Sequence, residues 1–98
     1  MIYVNLIKQK DSVIGFECKG HANSDVFGKD LICAGVSSII TGGFNALRDE
    51  DISECYLEDG YAKVTLKNVD CYSKVVLDTM ITQLSTIEEE FPKNIKIK

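Results

Sequence analysis

Ninety-eight residues set the scale of one compact domain, since single domains run from about 50 to 250 residues. Hydrophobic residues make up 45% of the chain and charged residues 27%, which fits a packed core and excludes the disordered class. Eleven Lys and Arg stand against fifteen Asp and Glu, a net charge of −4 with no basic block, so direct nucleic-acid binding through phosphate neutralisation is not expected.

Ile2, Val4 and Leu6 alternate over residues 2–7, the pattern of a half-buried strand. Lys8-Gln9-Lys10-Asp11 reads as a polar turn. Ser12 to Gly20 then alternates again, with Ile14, Phe16 and Cys18 on one side, and the two runs predict a hairpin. From Gly20 to Lys29 periodicity stops and turn formers take over. Ile32, Val36, Ile39 or Ile40, Gly43 or Phe44, and Leu47 then recur at helical spacing. This predicts a helix over 31–47 with Asp30 as its N-cap. It also predicts a kink at Gly42-Gly43, where each glycine costs about 1 kcal/mol against alanine.

Arg48-Asp49-Glu50-Asp51 reads as a solvated connection. Ile52 to Glu58 and Tyr61 to Lys67 flank Asp59-Gly60, a strong hairpin signal. Asp70 or Ser73 is placed to cap a second helix with the stripe Val76, Met80, Leu84, Ile87 and Phe91. Glu88-Glu89-Glu90 reads as its solvated end, and Pro92 stops it. Ile95 and Ile97 alternate with lysines in a short final strand. The order β-β-α-β-β-α-β predicts an α+β fold, with two helices packed on a mostly antiparallel sheet.

No apolar run approaches the ~20 residues that span a bilayer, and Met1-Ile2-Tyr3-Val4-Asn5 carries no signal-peptide pattern. A cytoplasmic protein without membrane association is expected. The cysteines, Cys18, Cys33, Cys55 and Cys71, include no CxxC pair, and His21 is the only histidine. No metal set is read from them, and reduced thiols are expected. Cys18, Cys55 and Cys71 are expected as small core residues.

The chemistry-bearing residues gather between positions 20 and 37. His21 stands where a strand gives way to a loop, and Cys33 stands in the expected first helical turn. There the macrodipole and unpaired N–H groups favour a thiolate, and an imidazole nearby takes the thiol proton to make an activated nucleophile. Each residue also has a plain structural reading. His21 can be a hydrogen-bonded strand end, Cys33 packing and Asp30 a cap. Ser37, one turn after Cys33 on the same face, is a ligand-facing hydroxyl or a small residue at a close approach. A thiol redox protein using Cys33 needs a resolving cysteine close in space, and no sequence-adjacent one exists.

Gly20-His21-Ala22, a polar loop, and Asp30-Leu31-Ile32-Cys33-Ala34-Gly35-Val36-Ser37 resemble the signature of the bacterial ribosomal-processing cysteine protease family (Prp). The likeness extends to the chain length, the element order and the stretch from Met80 to Phe91. The resemblance implies one cysteine-protease domain over 1–98. It implies a cysteine endopeptidase that removes the N-terminal extension of a large-subunit ribosomal protein, number twenty-seven, during ribosome maturation. It implies His21 as base and Cys33 as nucleophile of a Cys-His dyad, with Asp30 and Ser37 as supporting positions. The loop Ala22, Asn23, Ser24, Asp25, Val26, Phe27, Gly28 and Lys29 is implied to meet the substrate. A homodimer is implied as well, with the precursor ribosomal protein as substrate and no cofactor. Backbone N–H groups at the start of the 31–47 helix are the expected oxyanion donors. The alternative is a non-catalytic ribosome-assembly or protein-interaction module with Cys33 inert in the core.

Overall fold

The computed structural model describes residues 1–20 and 27–98, with backbone only over 27–30. β1 (Ile2–Gln9) and β2 (Ser12–Gly20) form the first antiparallel pair. β1 runs past the expected end at Ile7, so only Lys10 and Asp11 turn the chain, at φ 51° and 67°. Positive φ at both turn residues suits the right-handed twist of the flanking strands, and that twist holds even Lys10 there. Ile7 pairs with Gly15 and Lys8 with Val13, a register shift that leaves Ile14 as the bulge residue.

α1 (Phe27–Ala46) begins at Phe27 rather than Leu31. Asp30 is therefore a residue of the first turn and not the N-cap, and Cys33 lies in the second turn. The acidic side-chain type at position 30 marked a real helix start, because the macrodipole favours negative charge throughout the first turn. Gly28 and Lys29, read as loop from their residue types, are helical because propensity is a weak constraint at a helix end. The helix also runs unbroken through Gly42-Gly43, and Leu47 N–H still donates to the Gly43 carbonyl at 3.1 Å. Gly43 is where the second helix approaches closely: a Cβ there would overlap Sδ, Cε and Cγ of Met80.

The connection after α1 is a short 3-10 turn, Asp49–Asp51, and Asp51 is buried rather than solvated. Arg48 Nε donates to Asp51 Oδ2 at 2.9 Å, and the Asp51 carbonyl accepts Lys67 N–H at 2.9 Å. The same guanidinium donates to Asp70 and lies 4.8 Å from the Tyr72 ring centroid. One arginine thus fastens the end of α1 to the start of the second helix.

β3 (Ile52–Glu58) and β4 (Tyr61–Leu66) turn at Asp59-Gly60, with Gly60 at φ 77°. α2 (Cys71–Glu90) opens on a reciprocal cap. Asp70 Oδ1 accepts Ser73 N–H at 2.9 Å, and Ser73 Oγ accepts Asp70 N–H at 3.0 Å. Glu88, expected to be solvated, is half-buried and accepts Ile97 N–H at 2.9 Å, which ties β5 (Ile95–Ile97) to α2.

The sheet order is β3-β4-β2-β1-β5, antiparallel except for the β1–β5 pair. Val4, Phe16 and Val64 on one sheet face meet Ile32, Val36 and Ile40 of α1 and Leu77, Met80 and Leu84 of α2. Of the three cysteines expected in this core, only Cys18 is buried. Cys55 is exposed because β3 is the edge strand, beyond the cover of the helices, and Cys71 because it opens α2.

Space around the paired glycines sets their responses apart. Gly42→Ala meets nothing within 4 Å and is expected to stabilise by about 0.5–1 kcal/mol. Gly43→Ala is expected to destabilise, because the Met80 side chain, 2% exposed, must shift within the core to admit the added Cβ, and overpacking costs about 1–3 kcal/mol. Urea denaturation of the two variants checks the opposite signs.

Candidate active site

β2 ends at Gly20, a position that only glycine satisfies. Its φ is 103°, and a Cβ would run into the Met1 carbonyl oxygen. Its N–H donates to the Gly60 carbonyl at 3.0 Å, which ties the strand end to the tip of the β3–β4 hairpin. The residue before His21 is thus fixed from two sides. His21, Ala22, Asn23, Ser24, Asp25 and Val26 lie outside the described residues, and Phe27, Gly28, Lys29 and Asp30 are described by backbone alone.

Cys33 is half-buried and packs against the core cluster. The stripe Ile32, Val36 and Ile40 points inward. One step round the helix, Cys33, Ser37 and Thr41 form the next row at i, i+4 and i+8. All three line a cleft of about 230 Å³ between α1 and the β3–β4 hairpin. Its far wall runs from Leu57 to Ala62, and its floor includes Ile2 and Cys18. Tyr61 on that wall donates from its hydroxyl to Glu17 Oε2 at 2.9 Å, which pins the hairpin to β2 and holds the Glu17 carboxyl below its ordinary value.

Two of the expected site residues, Cys33 and Ser37, therefore share one cleft, and position 30 lies one turn before Cys33 on the same helix. The expected oxyanion donors need correction. With α1 starting at Phe27, N–H groups from residue 31 onward have carbonyl partners four residues back, so those flanking Cys33 are committed within the helix.

Sequence reasoning missed two parts of the cleft. The hairpin wall had no signal beyond Asp59-Gly60. Cys18 is a second thiol on the same cleft, distant in sequence but brought near by the core-facing alternation of β2. Burial pushes the Cys18 thiol up to about 11, and the neighbouring Cys33 thiol adds to the rise. Cys18 is therefore a protonated, inert thiol near neutral pH. Among the described residues no three His, Cys, Asp or Glu gather to hold a metal, and no helix is long and apolar enough to cross a membrane.

The family model of the cysteine protease Prp matches residues 1–96. The chain belongs to that family. The ribosomal processing cysteine protease Prp of Staphylococcus aureus is 29% identical to it over 103 residues, covering 99% of this chain and 97% of that protein. The Bacillus subtilis Prp is 29% identical over 109 residues, covering 99% and 96%. The crystal structure of the S. aureus Prp with a covalently linked product peptide matches with a TM-score of 0.85 and 30% identity, covering 100% of this chain and 98% of that one. The same protease in complex with a substrate peptide gives 0.83 at 30% identity over the same shares. The β-β-α-β-β-α-β order is thus that of the Prp structures, and the chain is a cysteine protease of the ribosomal-processing Prp family.

Gly20→Ala combines left-handed backbone strain of about 1–2 kcal/mol with the clash at Met1. It is expected to lower the melting temperature and to slow peptide cleavage, whereas Gly42→Ala does neither. Thermal unfolding and cleavage assays on both variants make the comparison.

Proposed function

We propose that this Prp-family chain is a cysteine endopeptidase that removes the N-terminal extension of large-subunit ribosomal protein number twenty-seven. In this reading Cys33 is the nucleophile and His21 the base, in one domain over 1–98 that works as a cytoplasmic homodimer. The observation that carries the reading is the placement of Cys33. It lies at the motif position of the family and opens into a cleft, whereas a non-catalytic module needs it sealed in the core. The S. aureus relatives with a substrate peptide and a covalently linked product peptide support a peptide in such a cleft.

The chemistry follows from these parts. His21 takes the Cys33 proton, the thiolate attacks the scissile carbonyl, and the imidazolium returns the proton to the leaving amine. Water then hydrolyses the acyl-enzyme. Because the helix N–H groups beside Cys33 are committed, the Ser37 hydroxyl on the same cleft is the donor assigned to the oxyanion. Asp30, one turn before Cys33 in the chain, is a supporting position of the dyad. The segment from Ala22 to Lys29 meets the substrate. A net charge of −4 draws in a lysine- and arginine-rich ribosomal protein.

Cys33→Ala is expected to lower cleavage of the precursor by at least ~10³-fold, since removing a nucleophile costs that order or more, with the circular dichroism spectrum unchanged. Cys55→Ser and Cys71→Ser, both at exposed thiols, keep full activity. Mass analysis of both precursor fragments reads the outcome, and full turnover by Cys33→Ala would falsify the nucleophile assignment.

His21→Ala is expected to slow cleavage severely and to remove one limb of a bell-shaped pH profile, whose limbs belong to the coupled pair. Thiol alkylation near neutral pH reports Cys33 once the exposed Cys55 and Cys71 are both changed to Ser, since burial pushes the Cys18 thiol up to about 11. Loss of His21 moves that alkylation profile toward an ordinary thiol. An unchanged cleavage rate in His21→Ala removes the dyad.

A further inference from the structure

Resting on the Cys33–His21 reading above, we propose that Tyr61 and Glu17 are positioning residues for the general base. Their contact fixes the tip of the β3–β4 hairpin, and the hairpin fixes Gly20, the residue from which His21 follows in the chain.

The end of β2 needs an external hold. The β2–β4 ladder closes at the pair Lys19 with Tyr61, and Gly20 lies one residue beyond it. On that side Gly20 is held by the hydrogen bond from its N–H to the Gly60 carbonyl, at 3.0 Å. The acceptor belongs to a two-residue turn, with Gly60 at φ 77°. Turn tips open at little cost in free energy unless side chains tie them down. A shift of Gly60 carries Gly20 with it, and a catalytic group displaced by about 1 Å loses on the order of 10²-fold in rate.

The core does not supply the tie. On the helical face the last β2–β4 pair is Cys18 with Ala62, two small side chains. From Leu57 to Ala62 only Ala62 is buried, and Leu57 is 54% exposed. The cleft separates this stretch from α1.

The tie lies on the opposite face of the sheet. Tyr61, next in the chain to Gly60, donates from its hydroxyl to Glu17 Oε2 at 2.9 Å. Glu17 itself pairs with Lys63, so the contact runs diagonally from β4 to β2, a reach that long side chains span. Glu17 Oε1 lies 3.5 Å from Asn5 Nδ2 on β1 and 3.6 Å from Lys19 Nζ. Lys63 is engaged elsewhere, with its Nζ 3.5 Å from Glu54 Oε1. One carboxylate thus joins β1, β2 and β4 at the level of the hairpin tip. Glu17 does not line the cleft, so its influence on catalysis runs through the strand.

The test uses the full chain as Tyr61→Phe, Glu17→Ala and Glu17→Gln, with Glu54→Gln as a control on the same face. Tyr61→Phe and Glu17→Ala are each expected to lower the hydrogen-exchange protection of the Gly20 amide at least ~5-fold. Each is expected to lower kcat for the precursor at least ~10-fold while KM stays within about twofold of wild type. Glu17→Gln keeps an acceptor for the hydroxyl and retains at least about half of kcat. Combining Tyr61→Phe with Glu17→Ala adds nothing, because either change breaks the same contact. In a His21→Ala background Glu17→Ala leaves the residual rate unchanged. With Cys55→Ser and Cys71→Ser in place, Cys33 alkylation near neutral pH slows in both Tyr61→Phe and Glu17→Ala as the imidazole loses its hold on the thiol proton.

Lower Gly20 protection with kcat and alkylation at wild-type values makes the contact structural alone and overturns the proposal. A raised KM at unchanged kcat makes Tyr61 a substrate contact and overturns it as well. A full effect of Glu17→Ala in the His21→Ala background does the same, since the path then bypasses the base. An uncleaved precursor with slowed Cys33 alkylation overturns the proposed substrate and upholds the positioning role. A wild-type cleavage rate in His21→Ala is instead the failure of the dyad reading, and it takes the positioning role with it.

Discussion

Burial of one stripe of α1 against the sheet is the constraint on which the remaining structure depends. Ile32, Val36, Ile40 and Phe44 of that helix, with Leu47 just past its end, are all buried in the core, none more than 9% exposed, and each such side chain contributes about 1.5–3 kcal/mol when fully buried. A helix anchored along one row has no freedom to rotate about its axis. The neighbouring row, Cys33, Ser37 and Thr41, is therefore held at the boundary between core and solvent. A candidate nucleophile needs that position: supported by packing from below and open from above. The approach of α2 at Gly43, with Met80 seated over the missing Cβ, locks the same rotation from the other side.

Much of this was legible in the sequence because the signals were periodic. The strand alternations, the helical stripe and the Asp-Gly turn each follow from one local pattern, and their order is the observed one. The motif around Cys33 and Ser37 singled out two residues that line one cleft. What was not legible depends on through-space partners. The helix start moved from Leu31 to Phe27 because Gly28 and Lys29 look like loop by type. Asp51 looked solvated until the fold brought Lys67 to its carbonyl and Arg48 folded back onto its carboxylate. Cys55 looked like core until the strand order placed β3 at the edge. The wall of the cleft could not be read at all, because nothing in Leu57 to Ala62 says which helix it will face.

Cys18 and Cys33 illustrate how depth alone separates an inert thiol from an available one. They share a cleft, yet Cys18 sits in the sheet layer at 6% exposed and is held protonated by burial. In the proposed mechanism a second nucleophile in the same cleft would compete for the substrate carbonyl. Desolvation removes that competitor without removing the cysteine.

The hydrogen bond from Gly20 to Gly60 joins the two sides of the cleft, which otherwise belong to separate pieces of chain. The row on α1 is held by the core, while the opposing wall is an edge hairpin held to the sheet by β4 pairing, the Gly20–Gly60 hydrogen bond and the Tyr61–Glu17 contact. Substitutions at the exposed Leu57 of that wall therefore alter the cleft without passing through the core. The hairpin is in this sense a separate piece of the cleft, and exchanging it between Prp proteases would change one wall while leaving the α1 row in place.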